Sequence, residues 1–212
     1  VLGLLHDLGK ASQEFQNYIR SGEGLINPDA DEWVDSKAKK GKIDHSSAGA
    51  QILYRKFYEK GKQGQVTAQA LSLCIASHHS GLIDCLTPDG ENNFKRRIEK
   101  SDKQTHVNEA WSNIDEIDKK LCKLLSQNLE DKFISSLKNL KEDRESYETF
   151  GFKQGLLIRY LLSCLIDADR LDTADFDFPP NERIRNYGQY RSWITLIQRL
   201  DDKLGDFEHK EN

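Results

Sequence analysis

The sequence predicts a single all-α domain over its 212 residues. Apolar residues recur along most of the chain at intervals of three and four, the spacing of a helix with one buried face. The alternation of apolar and polar residues that is typical of half-buried strands is scarce. No stretch is rich enough in Gly, Ser or Pro to mark a linker between two domains. One helical domain with one core is therefore expected.

Helical spacing divides the chain into six predicted segments. They cover residues 2–20, 44–61, 65–79, 92–149 with a break near 102–105, 152–172 and 189–205. The second segment is expected to begin at a capping residue, either Asp44 or Ser46. The third is expected to end at Gly81, because glycine tolerates the left-handed conformation that closes many helices. Residues 22–43 and 82–90 are predicted loops.

The charge of the chain limits how it can bind nucleic acid. Its net charge of −4 argues against broad electrostatic adhesion to a phosphate backbone. Two basic segments, 37–42 and 95–100, are either ordinary solvated surface or local surfaces that guide a nucleic-acid strand. Any nucleic-acid binding is therefore expected at such a patch or at a metal centre.

The cysteines and the apolar stretches bear on the compartment. The four cysteines form no CxxC pair and no zinc spacing, so they are expected to be reduced thiols of a cytoplasmic protein. Cys74 and Cys164 lie in apolar runs and are expected in the core. The longest apolar stretch, 156–166, is interrupted by polar residues and is too short to cross a bilayer.

The first motif with chemical character is a His-Asp pair inside an apolar run. Burying His6 and Asp7 costs free energy unless they are paired or coordinate an ion. Lys10 follows at helical spacing, so one helix face can present all three side chains. Imidazole suits transition metals, and a carboxylate can bridge two ions. The alternative for the isolated pair is a satisfied core histidine beside an exposed aspartate.

Three further histidines lie at predicted helix ends. His45 is followed by the small residues 46–50, which let the helix start approach a neighbour closely. His78 and His79 precede Gly81; on a regular helix their directions differ by about 100°, but a bend at the helix end brings both rings to one site. The alternatives are a surface position for His45 and, for the adjacent pair, a favourable interaction with the helix dipole.

An acidic motif follows the apolar helix late in the chain, in the segment LIDADRLDT at 165–173. Asp169 and Asp172 share a helix face, whereas Asp167 points elsewhere. One acid that faces the histidines would complete a metal site of nitrogen and oxygen ligands. The alternative is that these acids pair with Arg170 or other surface bases. The order His-Asp, His, His-His, Asp is more specific than any of its parts.

This order resembles the HD superfamily, whose helical domains bind one or two metal ions and hydrolyse phosphate esters. The segments LLHDLGKASQEFQNYI, DHSSAGAQIL, ASHHSGLIDCLTPDG and LIDADRLDT are similar to the HD nuclease domain of the CRISPR-associated helicase-nucleases of type I systems, over most of residues 2–176. The resemblance implies an HD-domain helical bundle that cuts single-stranded DNA in CRISPR interference. Its implied partners are a helicase domain or subunit and an RNA-guided CRISPR surveillance complex.

The resemblance also implies roles for individual residues. Asp7 and Lys10 would be catalytic, with Lys10 contacting the scissile phosphate. The implied metal ligands are His6, Asp7, His45, His78, His79 and Asp169, with Asp7 bridging two ions and Asp167 as the alternative to Asp169. A ligand set rich in histidine favours Mn, Co, Ni or Fe over Mg, which prefers oxygen ligands, although Mg stays an alternative.

Two questions stay open at the level of sequence. The family also uses a histidine upstream of the His-Asp pair, and this sequence begins at Val1 without a methionine. It is expected to be an N-terminally incomplete fragment, so either the longer protein supplies that ligand or the chain binds one ion. The rival functions are an HD phosphohydrolase with a closed pocket for small nucleotides and a non-catalytic HD docking module. No Walker motif is present, so the helicase is expected elsewhere.

Overall fold

The computed structural model of the chain describes residues 1–185 and 191–208. Within these residues it contains helices and no strand, so the prediction of an all-α domain is confirmed. The α-helices are α1 (Leu2–Leu5), α2 (Gln13–Gly22), α3 (Ser36–Lys39), α4 (Ser46–Tyr58), α5 (Lys62–Ser77), α6 (Asn93–Ile98), α7 (Asp102–Thr105), α8 (Val107–Asn113), α9 (Glu116–Ser126), α10 (Leu129–Leu140), α11 (Tyr147–Asp177), α12 (Pro180–Ile184) and α13 (Trp193–Glu208). A 3₁₀ helix, Leu8–Ala11, lies between α1 and α2.

The first predicted helix, 2–20, is interrupted, and this prediction was wrong in detail. The backbone N–H of Gly9 donates to the carbonyl of His45 over 3.1 Å, and a Cβ at Gly9 would lie 2.5 Å from the His45 Cα. Only glycine fits so close an approach. Ser12 then starts α2 by accepting a hydrogen bond from the Phe15 N–H. As a result, the His-Asp pair lies at a junction between helices rather than on a continuous helix face.

Helices α4 and α5 form an antiparallel hairpin at the centre of the core. The turn between them ends at Gly61, whose φ of 88° is left-handed. The residues 46–50 are all buried, and a Cβ at Gly49 would lie 1.7 Å from the Leu5 carbonyl oxygen. The expectation that these small residues allow a close approach is therefore confirmed. Because the helices run in opposite directions, the start of α4 and the end of α5 meet at one end of the hairpin.

The predicted helical region 92–149 is divided into five helices and part of a sixth. Between α7 and α8, His106 adopts a left-handed φ of 50°, which a continuous helix cannot accommodate. Asp115 starts α9 by accepting from the Asp118 N–H over 2.8 Å. The apolar faces of α6, α8 and α10 pack against the same core through Phe94, Val107 and Ile134.

The end of the chain forms a second compact unit. Residues 1–169 make up the first unit and residues 170–212 the second. Within the second unit, Arg185 pairs with Asp175 at 2.6 Å and donates to the Leu171 carbonyl. The last predicted helix, 189–205, corresponds to α13, and residues 186–190 lie outside the described part of the chain. The assignment of the whole chain to a single domain stays a prediction.

The cysteine prediction is correct for one residue and wrong for the other. Cys74 is buried on α5, whereas Cys164 is exposed on α11, because that helix buries only one narrow face. All four cysteines are free thiols. No helix in the described ranges is both long and apolar enough to span a bilayer.

Candidate metal centre

Four parts of the fold bring ionisable side chains to Asp7. Asp7 itself lies between α1 and the 3₁₀ helix, in the interruption of the first predicted helix. His45 directly precedes α4, and His78 and His79 directly follow α5. Asp169 reaches the same place from α11, 163 residues after His6. The hairpin of α4 and α5 therefore supplies three histidines to the end at which the His-Asp pair lies.

The first group of side chains consists of Asp7 and the three histidines of the hairpin. The Oδ1 atom of Asp7 lies 3.5 Å from the Nε2 atom of His78, 3.8 Å from that of His45 and 3.9 Å from that of His79. One potential ligand atom from each of the four residues lies within 4.8 Å of all the others. This spacing leaves room for one cation between them.

Polar atoms in this group are buried without partners. Asp7 Oδ1, His45 Nε2 and His78 Nε2 are inaccessible to solvent and have no hydrogen-bond partner among the described residues. Burying such atoms unpaired costs about 1–3 kcal/mol each. A divalent cation would satisfy all three at once, so the residues present fit a metal ion.

Backbone carbonyls orient the imidazole rings. The Nδ1 atoms of His78, His6 and His45 lie 2.6 Å, 2.8 Å and 3.4 Å from the carbonyl oxygens of Ile75, Gly3 and Ile43. With Nδ1 as the donor, the neutral form of each ring keeps its Nε2 atom available to bind a cation beside Asp7. Metal-binding histidines commonly have this arrangement, because a hydrogen bond at one nitrogen fixes the tautomer that binds through the other.

The second group consists of His6, Asp7 and Asp169. The His6 Nε2 atom lies 3.2 Å from Asp7 Oδ2 and 3.3 Å from Asp169 Oδ1, and the three potential ligand atoms lie within 4.8 Å of one another. Lys10 extends from the 3₁₀ helix and places its Nζ atom 2.6 Å from Asp7 Oδ2. The two oxygens of Asp7 therefore face different groups, as a bridging carboxylate would.

The charges at the centre follow from burial and close contacts. Burial raises the pKa of Asp7, but the neighbouring His6, His78 and Lys10 outweigh it and hold this pKa far below its ordinary value. Burial lowers the pKa of His6, but contact with Asp7 outweighs it and raises this pKa to about 8. Burial, reinforced by the nearby His78 and His45, lowers the pKa of His79 to about 4. Without a metal, a proton on His6 thus partly balances the carboxylates.

His45 follows the same trend as His79. Burial lowers its pKa, although Asp7 opposes the shift. Two histidines of the first group are thus held neutral at pH 7, the protonation state in which imidazole binds a metal. In that respect the first group is prepared for a cation before any ion arrives.

The structure brings together all six side chains that the sequence singled out as metal ligands. Among the described residues, neither group includes Asp167 or Asp172. The sequence did not indicate which residues surround and support these potential ligands. The Phe15 ring lies 5.0 Å from the His45 ring, and Arg97 contacts both helix ends that carry histidines. Phe15 occupies an ordinary core position of an amphipathic helix, so no sequence signal distinguishes it.

The basic segment 95–100 differs from what the sequence suggested. Its four cations are engaged within the protein: Lys95 with Glu99, Arg96 with Glu91, Arg97 with Ser46 and the Ala76 carbonyl, and Lys100 with Asp44. Two of these cations lie against the helix ends of the metal centre and are half-buried. The proposal that 95–100 guides a strand is therefore weakened.

Comparison with known proteins agrees with this geometry. A family model described as Cas3, HD domain, matches residues 1–155. The chain belongs to this family. The Cas3 HD family comprises CRISPR-associated, metal-dependent nucleases that act with a helicase on nucleic acid. No curated protein and no solved structure matches the chain. Asp169 lies beyond the matched residues, so its place at the centre rests on geometry.

Proposed function

We propose that this Cas3 HD chain is a metal-dependent nuclease that cleaves single-stranded DNA during CRISPR interference. The observation that carries the proposal is the convergence of four histidines and the Asp169 carboxylate on Asp7, with three buried polar atoms that lack partners among the described residues. Its partners would be single-stranded DNA, a helicase domain or subunit, and an RNA-guided surveillance complex. Its compartment would be the cytoplasm.

The two groups of side chains would hold one or two divalent ions. His45, His78 and His79 would hold one ion, His6 and Asp169 the other, and Asp7 would bridge them. The high share of imidazole ligands favours Mn²⁺, Co²⁺, Ni²⁺ or Fe²⁺ over Mg²⁺. When bound, such ions supply positive charge to the scissile phosphate and make water a better nucleophile at neutral pH.

The side chains of the protein contribute orientation and charge. Asp7 holds the ammonium group of Lys10 at 2.6 Å, so this cation has a fixed position beside the centre. The Lys10 side chain is 40% exposed and can contact a non-bridging phosphate oxygen. A fixed cation at this point stabilises the negative charge that grows on phosphate in the transition state. Lys10 therefore acts on the substrate rather than on an ion.

The exposure of the centre supports a polymeric substrate. The His79 side chain is 47% exposed and that of Lys10 is 40% exposed, so one side of the centre is open to solvent. A strand can pass across such an edge without threading into a cavity. A phosphohydrolase for small nucleotides would instead enclose its ligand in a pocket. The exposed edge thus favours the nuclease over this rival.

Replacing Asp7 tests the proposal. We expect the wild-type protein to cleave single-stranded DNA with Mn²⁺, Co²⁺ or Ni²⁺, and Asp7→Ala to lose at least about 1000-fold in rate. Losing the shared ligand removes several kcal/mol of transition-state stabilisation. Asp172→Ala makes the same change at an exposed position outside both groups and should cleave at the wild-type rate.

Three outcomes would contradict the proposal. Equal cleavage by Asp7→Ala, prepared free of contaminating nuclease, would exclude this centre. Rapid hydrolysis of a nucleotide panel without cleavage of single-stranded DNA would favour the small-nucleotide rival. A wild-type protein that binds no Mn²⁺ in a titration would favour the non-catalytic docking module.

A further inference from the structure

Arg97 connects the two helix ends that carry the histidines of the hairpin. Its guanidinium donates to the Ser46 hydroxyl over 3.0 Å and to the Ala76 carbonyl over 3.1 Å. Ser46 directly follows His45, and Ala76 precedes His78 by two residues. Both contacted residues are buried. A single guanidinium nitrogen, Nη1, therefore links the residue beside one potential ligand to the helix end that precedes two others.

The contact with Ala76 gives a hydrogen-bond partner to a carbonyl group at the end of α5. Ala76 lies in the last turn of α5, where carbonyl groups have no partner within the helix. Its neighbours have other partners: the Ile75 carbonyl accepts from the His78 ring, and the Ser77 carbonyl accepts from the Ser80 N–H. A cation at the end of a helix also interacts favourably with its dipole. Arg97 thus fixes the turn from which His78 and His79 project.

Lys100, three residues after Arg97 and beyond the end of α6, makes a similar contact. Its Nζ atom donates to Asp44, the residue before His45. The same carboxyl group accepts from the Ser47 N–H over 2.9 Å and from the Ser47 hydroxyl over 2.6 Å. Asp44 therefore holds the first turn of α4, and Lys100 holds Asp44. His45 lies between two residues that this network immobilises.

The segment that carries both cations is itself attached to α4. The amide of Gln51, which is fully buried, donates to the carbonyls of Ile98 and Lys100 over 2.9 Å and 2.7 Å. Its oxygen accepts from the Thr105 hydroxyl over 2.9 Å. The Phe94 ring packs against the ring of Tyr54 on α4. The cations thus project from a backbone that cannot shift independently of α4.

We propose that Arg97 and Lys100 are positioning residues that set the distance between His45 and the His78–His79 pair and thereby the affinity of the first metal site. This inference rests on the proposed metal centre and adds residues to it that touch neither ion nor substrate. The role differs from strand guiding, since both cations face the protein interior. It also differs from general packing, because the contacts of Arg97 and Lys100 are made within two residues of the potential ligands.

An effect of the Arg97 charge and an effect of its contacts predict opposite changes in metal affinity when Arg97 is replaced. A positive charge near a cation site repels the ion, so if charge dominated, Arg97→Gln would tighten metal binding. If position dominates, Arg97→Gln loosens the two helix ends and weakens binding. Arg97→Lys retains the charge, but its side chain is shorter and lacks the Nη1 atom that reaches both acceptors. A weakening in both variants therefore identifies positioning.

The experiment is a Mn²⁺ titration of the metal-free chain by calorimetry, at a temperature at which every variant is folded. We expect Arg97→Gln to bind the first ion about 10-fold or more weakly, as is typical when groups supporting a ligand are lost. Arg97→Lys should show a smaller loss. Arg96→Gln is the matched control, because Arg96 lies on the same helix, pairs with Glu91 and is 70% exposed; its affinity should match wild type.

Lys95, on α6, is the control for Lys100, which lies two residues beyond the end of that helix. Lys100→Gln should weaken Mn²⁺ binding by several-fold, whereas Lys95→Gln, at a 66% exposed position, should not. The absorption spectrum of bound Co²⁺ should change in Arg97→Gln and Lys100→Gln and stay unchanged in the controls, because it reports ligand geometry. A merely structural role would lower the melting temperature of the metal-free protein without changing this spectrum.

The outcomes separate this inference from the proposed function. Wild-type affinity and spectrum in folded Arg97→Gln would overturn the inference alone, as would tighter binding. A wild-type chain that binds no Mn²⁺ would overturn the proposed centre and the inference with it. If Arg97→Gln does not fold, Ser46→Ala removes one of the two Arg97 contacts with a small change. It should weaken Mn²⁺ binding a few-fold, and wild-type affinity in that variant would likewise overturn the inference.

Discussion

The two groups that share Asp7 are held in different ways. The first group lies at the end of the central hairpin. Its His78 side chain is completely inaccessible to solvent, and the His45 ring contacts the Ile43 carbonyl and the Phe15 ring. The second group depends on Asp169, which is 23% exposed on α11 and contacts the centre through His6. A site whose ligands are fixed before binding loses less entropy when the ion arrives. We therefore expect the first group to bind its ion more tightly.

The largest difference should appear when one ligand of each group is removed. We expect His78→Ala to weaken Mn²⁺ binding by at least about 100-fold, more than the loss of a supporting partner costs. Asp169→Asn should weaken only the second ion, by about 10-fold, since its amide oxygen can still act as a neutral ligand. Calorimetric titration of the metal-free variants measures both effects. Asp167→Asn, on an exposed face of α11, is the control and should match wild type.

The opposite ranking would reverse the comparison. If Asp169→Asn abolished all binding while His78→Ala retained the first ion, the second group would be the primary site. If Asp167→Asn weakened binding and Asp169→Asn did not, the acid that completes the centre would be Asp167.

The two groups should also respond differently to pH. His6, in the second group, has a raised pKa of about 8, whereas His79, in the first group, has a lowered pKa of about 4, and that of His45 is also lowered. A raised pKa stabilises the folded state below the unfolded value of about 6.5, and this stabilisation is lost as the pH rises to 8. A lowered histidine pKa destabilises the folded state as the pH falls below 6.5. The metal-free protein should therefore be most stable near pH 6.5.

Chemical unfolding of the metal-free protein between pH 4.5 and 8.5 tests this maximum. The loss from pH 6.5 to 8 should be about 1 kcal/mol, allowing for solvent screening at a half-buried group. In His6→Gln the alkaline loss should disappear and the acidic loss remain. A wild-type stability that rises steadily to pH 8 would show that the two groups do not differ in this way.

The ligands of the site could be predicted from the sequence, whereas the backbone that positions them could not. The ligands were recognisable because His and Asp residues inside apolar helical runs need a partner, and the order of the motifs is specific. The break at His6 and Asp7 was not recognisable, because it arises from the contact between Gly9 and the His45 backbone. A contact between segments 36 residues apart leaves no trace in local helical spacing.

The supporting roles of Arg97 and Lys100 could not be predicted from the sequence for a related reason. Within 95–100, the residues Lys95 and Arg96 are exposed while Arg97 and Lys100 turn inward. Local sequence shows four cations in a row of six and gives no information on which of them meets a carbonyl or a carboxylate. Helical periodicity predicts Arg97 and Lys100 on one face, although α6 ends at Ile98. Only the contacts of α6 and the residues after it with α4 show that both side chains turn inward.

The two basic segments differ in whether their cations contact other residues of the protein. This difference leads to the smallest predicted effect, a change in the affinity for single-stranded DNA. Lys37, Lys40 and Lys42 are exposed, and in the described part of the chain they form no ion pair. If this segment guides the strand, the triple Gln variant should bind single-stranded DNA more weakly, with a salt dependence reduced by about 0.7 per lost phosphate contact. Arg96→Gln should leave the salt dependence unchanged, because Glu91 already neutralises Arg96. An unchanged slope in the triple variant, measured by fluorescence anisotropy between 50 and 200 mM salt (the range over which phosphate contacts change affinity strongly), would exclude residues 37–42 from the path of the strand.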